Sequence, residues 1–179
     1  YISMVGTVES VDEDYEGNYY VDFMDNYRLL RCYLSSTDKI LNLLKNESAT
    51  VTGTFNNYDF IPKFSDCKIT ETSSKIPLYL PSSNLINAAD ITKEFEDNSI
   101  RGITKYSDVK IYIKGTVSAV DFDYEGNHYV DFTDNYRLLR CYLSSTDKIA
   151  DLLKDKTATV TGTFNNYDLI PKFSDCKIT

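Results

Sequence analysis

Residues 110–179 repeat residues 1–70 without a gap, and 55 of those 70 positions are identical. The stretch DNYRLLRCYLSSTDKI occurs twice letter for letter, at 25–40 and again at 134–149. Solenoid repeats have periods of about 20–50 residues and need stacked neighbours to bury their apolar face. A 70-residue unit, set apart from its copy by 39 unrelated residues, is instead long enough to close a modest core of its own. The duplication therefore predicts one fold made twice. Any site on one copy then has a counterpart on the other.

Within a unit the apolar residues recur at every second position. In ATVTGTF, Ala49, Val51, Gly53 and Phe55 share one face while Thr50, Thr52 and Thr54 share the other, the pattern of a half-buried strand. YYVDF sets Tyr19, Val21 and Phe23 against Tyr20 and Asp22. RLLRCYL sets Leu30, Cys32 and Leu34 inward and Arg31 and Tyr33 outward. Between the first two strands EGN signals a hairpin, because Gly17 and Asn18 tolerate positive φ. SSTDKILNLLK then opens with Ser35 and Asp38 at capping-box spacing and continues with Ile40, Leu43 and Leu44 at helical spacing. Gly6 and Gly53, with Gly115 and Gly162, stand where tightly curved barrel strands lose a side chain in order to bend. Three strands, a helix and two more strands predict a five-stranded OB barrel in each copy, mainly β with minor α. An SH3-like barrel is the rival, and the helix between strands three and four favours OB.

The second copy, GTVSAVDFDYEGNHYVDF, then RCYL, IADLLKDKTATVTGTF and DCKIT, resembles the tRNA-anti-like OB-fold family of bacterial secreted proteins and lipoproteins. The preceding AADITKEFEDNSIRGITKYSDVKIYIKGTV resembles that family's leading helix, with Ala89, Phe95, Asn98 and Tyr106 ahead of the first strand. Gly102 stands where the family's pattern has a small alanine, and it is expected to weaken that helix. The resemblance covers 88–179, and 1–70 without the helix, which is expected upstream of residue 1. The chain does not begin with Met and its first residues already read as a strand, so an upstream segment is expected to have been removed. ETSSKIPLYLPSSN, with Pro77 and Pro81, reads as a linker. The expected organisation is an OB copy at 1–70, a linker at 71–87, and a leading helix plus second OB copy at 88–179. The resemblance also implies a location outside the bacterial cytoplasm, extracellular or in the cell envelope, secreted or lipid-anchored.

The formal charge of −8 divides as −5 over 1–70, −2 over 71–109 and −1 over 110–179. Nucleic-acid binders draw most of their affinity from phosphate neutralisation, so this balance disfavours nucleic acid and leaves only a local basic groove for it. No apolar run is long enough to cross a bilayer, and no transmembrane segment is expected.

The four cysteines fall at equivalent places, Cys32 and Cys67 in one copy and Cys141 and Cys176 in the other, all on inward faces. The third and fifth strands of an OB barrel are neighbours, so each pair can meet, either as a bridge or as free core thiols. The paired placement, with the export that the resemblance implies, favours the bridge. On the chain-entropy model a bridge would stabilise by roughly 4 kcal/mol. Neither metal nor cofactor is expected. No C-x-x-C or histidine cluster occurs. DEDYEG and DFDYEG begin like a calcium loop but carry Phe23 and Phe132 where its last glutamate belongs, so they read as acidic hairpin tips. His128, the sole histidine, has Tyr19 as its counterpart, and Asp22 and Asp131 read as solvated strand residues. The chain is expected not to be an enzyme.

OB barrels bind through the face of strands two and three and the loops joining strands 1–2 and 4–5. That surface holds Tyr20, Arg31 and Tyr33 with Tyr15 and Tyr58 in the loops, and in the second copy Tyr129, Arg140 and Tyr142 with Tyr124 and Tyr167. Such rings beside guanidinium groups stack on bases, sugars or apolar side chains, although tyrosine is also an ordinary strand residue. Val5, Glu47 and Tyr19 become Lys114, Lys156 and His128, which suits the second copy better to an anion. The leading expectation is a non-catalytic, extracytoplasmic tandem OB module that binds a protein or glycan. Single-stranded nucleic-acid binding and a purely structural envelope role are the alternatives.

Overall fold

The computed structural model describes all residues except 26–27, 37–38, 74–84 and 135–136, together with the side chains of Asp25, Tyr58, Asp59 and Asp134. The expected capping residue Asp38 and the IPLYL part of the linker therefore lie outside the described residues. Two compact units are present. One comprises Tyr1–Leu78 and Glu96–Arg101, the other Tyr79–Phe95 and Gly102–Thr179.

The first unit is a closed barrel of β1 (Ile2–Glu13), β2 (Tyr19–Asp25), β3 (Arg28–Leu34), β4 (Ser48–Asp59) and β5 (Ile61–Thr72), in the order β1-β2-β3-β5-β4. β1 pairs with both β2 and β4, and a register shift between Val8 and Ser10 lets it turn from one partner to the other. The parallel contact of β3 with β5 closes the cylinder. The inward residues of the alternating pattern, among them Val8, Val21, Cys32, Val51 and Cys67, are fully buried. Phe55 departs from that pattern at 51% exposed, because register shifts on either side of Thr54–Phe55 interrupt the alternation.

The second unit repeats this barrel with β7 (Lys110–Phe122), β8 (His128–Asp134), β9 (Arg137–Leu143), β10 (Thr157–Asp168) and β11 (Ile170–Ile178), closed by the pairing of β10 with β7. A short strand, β6 (Leu85–Asn87), adds in parallel to β7. It falls within the segment read as linker, and three residues are too few for a periodic signal. The leading helix is present as two helices, α1 (Ala88–Asp97) and α2 (Ser99–Tyr106). In the second unit Phe95 stacks on Tyr106, Phe164 and Tyr167 with ring centroids 5.9, 5.3 and 5.0 Å apart. Gly102 is what admits that ring, because a Cβ there would lie 2.8 Å from two of its atoms. Helix α2 runs through the glycine, so the residue serves packing where a weakened helix was expected.

The helix between the third and fourth strands is only one 3₁₀ turn in each copy, Ile40–Asn42 and Ile149–Asp151. Lys39 and Lys148 precede these turns at φ 66 and 63, a left-handed backbone that a continuous helix does not allow. Ile40 and Leu43 still reach the core together. In the first unit the carbonyls that a longer helix would have satisfied are taken up by 96–101. Asn98 Nδ2 donates to the oxygens of Ile40 and Leu43 at 2.7 Å each, and Arg101 Nη1 donates to Leu41 O at 2.8 Å.

The expected bridges are not formed, and all four cysteines are free and buried. Cys32 lies in register with Phe64 and Cys67 with Leu34, so the two residues are staggered along β3 and β5. The neighbouring Cys67 thiol, together with burial, pushes the Cys32 thiol up. Cys67 Sγ occupies the space above Gly53, where a Cβ would approach it to 2.6 Å, and Cys176 does the same over Gly162. These glycines make room for sulfur as well as for curvature. Among the described residues no helix is long and apolar enough to cross a membrane.

Candidate functional site

Three elements of the second barrel converge on one cleft: the β8-side hairpin at 123–127, the end of β9, and the β10–β11 hairpin. The first hairpin is rigidified by one carboxylate. Asp123 Oδ1 accepts from the amides of Glu125 and Asn127 at 3.0 and 2.9 Å, and Oδ2 accepts from Asn127 Nδ2 at 3.1 Å. Those bonds, led by the Asn127 amide, hold its carboxyl below the ordinary range. Gly126 completes the turn at φ 85. Asp14, Glu16, Gly17 and Asn18 build the same turn in the first copy. One oxygen of Asp123, and of Asp14 in the first copy, is thus engaged by backbone amides of its own turn, and no group of three or more metal-binding side chains occurs among the described residues.

The β2–β3 and β8–β9 faces carry the expected tyrosines and arginines, with a partner that the sequence reading passed over. Arg140 Nε and Nη2 donate to Asp131 Oδ1 and Oδ2 at 2.8 and 2.9 Å, and Arg31 holds Asp22 in the same fork at 2.8 and 2.8 Å. Both aspartates are 5% exposed, not solvated as expected. The signal was available, since hairpin register sets Asp22 opposite Arg31 and Asp131 opposite Arg140. Each guanidinium lies over a tyrosine, Arg31 3.8 Å from the Tyr20 centroid and Arg140 3.6 Å from that of Tyr129. Tyr33 and Tyr142 meet those rings edge-on at 6.1 Å. The carboxylate bonds push both guanidinium groups further up, so they stay charged but paired. The result is a neutral, fixed aromatic platform and not a pair of free cations.

Tyr142 at the edge of that platform lines the cleft of about 610 Å³ with Tyr124, Asn127, Asn165, Asn166 and Ser174. Asp123, Glu125, Asp168 and Asp175 supply four carboxylates against one cation, Lys172. That lysine is paired to Asp168 at 3.3 Å. Asp175 sits at φ 52, where the β9–β11 register slips between Phe173 and Cys176, and such a bulge re-aims a side chain. The two hairpin tips end in exposed apolar residues, Tyr124 at 95% and Leu169 at 90%. Leu169 adopts φ 62, as its counterpart Phe60 adopts φ 61. Glycine or asparagine suits such a left-handed tip, so a bulky apolar side chain held there is costly by about 1 kcal/mol.

Of the residues expected from sequence, Tyr15 and Tyr124 stand free at hairpin tips, while Tyr20 and Tyr129 lie beneath arginines. Tyr167 is placed elsewhere, half-buried in the stack with Phe95. The side chain of Tyr58 is outside the described residues. Sequence reasoning missed Asp175, Leu169 and the asparagines, which show no periodicity and are gathered only by the hairpins.

Fold and site together define a tandem OB-type barrel protein. A family model described as tRNA_anti-like matches residues 68–178, more than half of the chain, and the chain belongs to that family. Comparison with curated proteins finds no match. Among solved structures the chain is similar to a "putative nucleic acid-binding lipoprotein" from Klebsiella pneumoniae, with 18% identity and a TM-score of 0.47 over 55% of this chain and 92% of that one. It is also similar to a murine DNA binding protein bound to double-stranded DNA, at 5% identity and TM-score 0.38 over 100% and 98% of the two chains. A replication protein A heterotrimer bound to single-stranded DNA matches at 8% identity and TM-score 0.36, over 99% of this chain and 48% of that one.

Proposed function

We propose that the chain is a non-catalytic binding module, working outside the bacterial cytoplasm as its family resemblance implies, and that it takes a basic, extended segment of a protein partner. One observation carries this reading: the cleft between the hairpins of the second barrel gathers four carboxylates and one paired lysine between two exposed apolar tips. Lysine or arginine side chains of a partner complement those carboxylates, and Tyr124 and Leu169 offer contacts to apolar neighbours. Phosphate groups meet repulsion in the same place, and Arg140 is committed to Asp131. A neutral glycan is the second reading, favoured by Asn127, Asn165 and Asn166 beside the Tyr142 ring. A purely structural envelope role is the third, and it predicts that no probe binds.

Titrating the whole chain with a labelled Lys-Leu-Lys-Leu-Lys peptide, a neutral hexosamine oligosaccharide and a labelled oligothymidylate separates these readings. The basic peptide is expected to bind, and Glu125→Lys with Asp168→Lys to weaken it about tenfold. Salt-sensitive binding of the oligothymidylate without the peptide would reverse the conclusion. Salt-insensitive capture of the oligosaccharide alone would put the glycan in its place.

A further inference from the structure

The two barrels differ at the surface around the single 3₁₀ turn. In the first unit that surface is covered by 96–101. Asn98 is fully buried, caps α2 by accepting from Arg101 N at 2.9 Å, and donates to the carbonyls of Ile40 and Leu43. Ser99 Oγ lies 2.9 Å from both Val11 O and Asp12 Oδ1 and shares its one proton between them. Ile100 joins the barrel core, and Arg101, 3% exposed, reaches Leu41 O. Five oxygens of the barrel are thereby met by the side chains of Asn98, Ser99 and Arg101, with Ile100 packed between them in sequence.

The second unit repeats the receiving surface. Val120, Asp121, Ile149, Leu152 and Leu153 are the same residue types as Val11, Asp12, Ile40, Leu43 and Leu44. Lys148 reproduces the left-handed entry of Lys39, so the carbonyls of the turn are presented alike. Yet among the described residues no side chain donates to the oxygens of Ile149, Ala150 or Leu152. Burial follows the same line. Val11 and Ile40 are buried where Val120 and Ile149 are half-buried, and Leu44 is half-buried where Leu153 is 58% exposed. Asp151 replaces Asn42, which adds a carboxylate beside the carbonyl that would receive an arginine.

We propose that this surface of the second barrel is a docking site for a helix junction of the Asn-Ser-Ile-Arg kind, carried by the leading helix of another polypeptide of the same family. The occupant is specified by its chemistry. An asparagine amide bridges the carbonyls of Ile149 and Leu152, a serine hydroxyl reaches Val120 O and Asp121, an isoleucine fills the gap between Val120 and Ile149, and an arginine meets Ala150 O and Asp151. Docking of this kind does not use the hairpin cleft, so it stands or falls independently of the ligand proposed there.

The test titrates the isotope-labelled full chain with a synthetic peptide of residues 88–106. Because a free peptide of that length is marginally helical, a second version carries A89E joined by a lactam to Lys93. Saturable one-to-one binding with amide shifts at Val120 and 149–153 is expected from at least one version. Asn98→Asp with Arg101→Glu in the peptide is expected to weaken binding about tenfold, and Leu153→Asp in the chain to abolish it without moving the unfolding midpoint. Three results would overturn the proposal: no saturable shift with either version, shifts confined to 40–45 through exchange at the first barrel, or equal binding of the double-substituted peptide.

Discussion

Asp131 and Arg140 form a two-bond fork on the β8–β9 face of the second barrel. The aspartate side chain is 8% exposed and the arginine 23%, so their bidentate bonds are shielded from water without being fully desolvated. Replacing one partner strands the other, and removing one member of such a pair costs more than the pair contributes. Asp131→Asn is expected to lower unfolding free energy by about 2 kcal/mol, below the fully buried case because Arg140 keeps some solvent. Urea midpoints of the variant and of the parent chain measure it. An unchanged midpoint would mean that the fork is ornamental. The sequence carried both residues on one strand face, and their pairing needed only the hairpin register. What it withheld was burial, since Asp131 is 5% exposed beneath an Arg140 that also lies over the Tyr129 ring.

At the scale of elements, the helices show why propensity is a weak guide. By propensity alone, Gly102→Ala inside α2 should stabilise by about 1 kcal/mol. The structure predicts the opposite sign, since the added Cβ lies 2.8 Å from a Phe95 ring already stacked against three other rings. Overpacking of this kind costs about 1–3 kcal/mol, and thermal unfolding of the variant reads the net change directly. The strands were legible because their period of two is insensitive to context. The helix expected after Ser35 is a single turn in both copies because the left-handed Lys39 and Lys148 break the spiral, and in the first unit the Asn98 amide then meets the carbonyls of the turn. No periodicity in 35–45 encodes a partner more than fifty residues away.

At the scale of the molecule, the cysteines separate two histories of the same fold. With Cys32 and Cys67 staggered and unbridged, intact mass after alkylation under denaturing, non-reducing conditions is expected to show four modified thiols. Two missing adducts would reveal one bridge per chain, and four would reveal both. The duplicated pattern by itself determined that there are two barrels, which faces are inward, where the hairpins turn, and that the cysteines come in pairs. Those properties follow from local periodicity and from chain copying, which are written one residue at a time. Only the tertiary structure decided that Tyr167 serves a stack with Phe95, that acids from two separate hairpins share one cleft, and that 96–101 belongs with the first barrel. Each of these depends on distances between residues far apart in the chain, and such distances are set by closure of the barrels and not by any neighbouring letters.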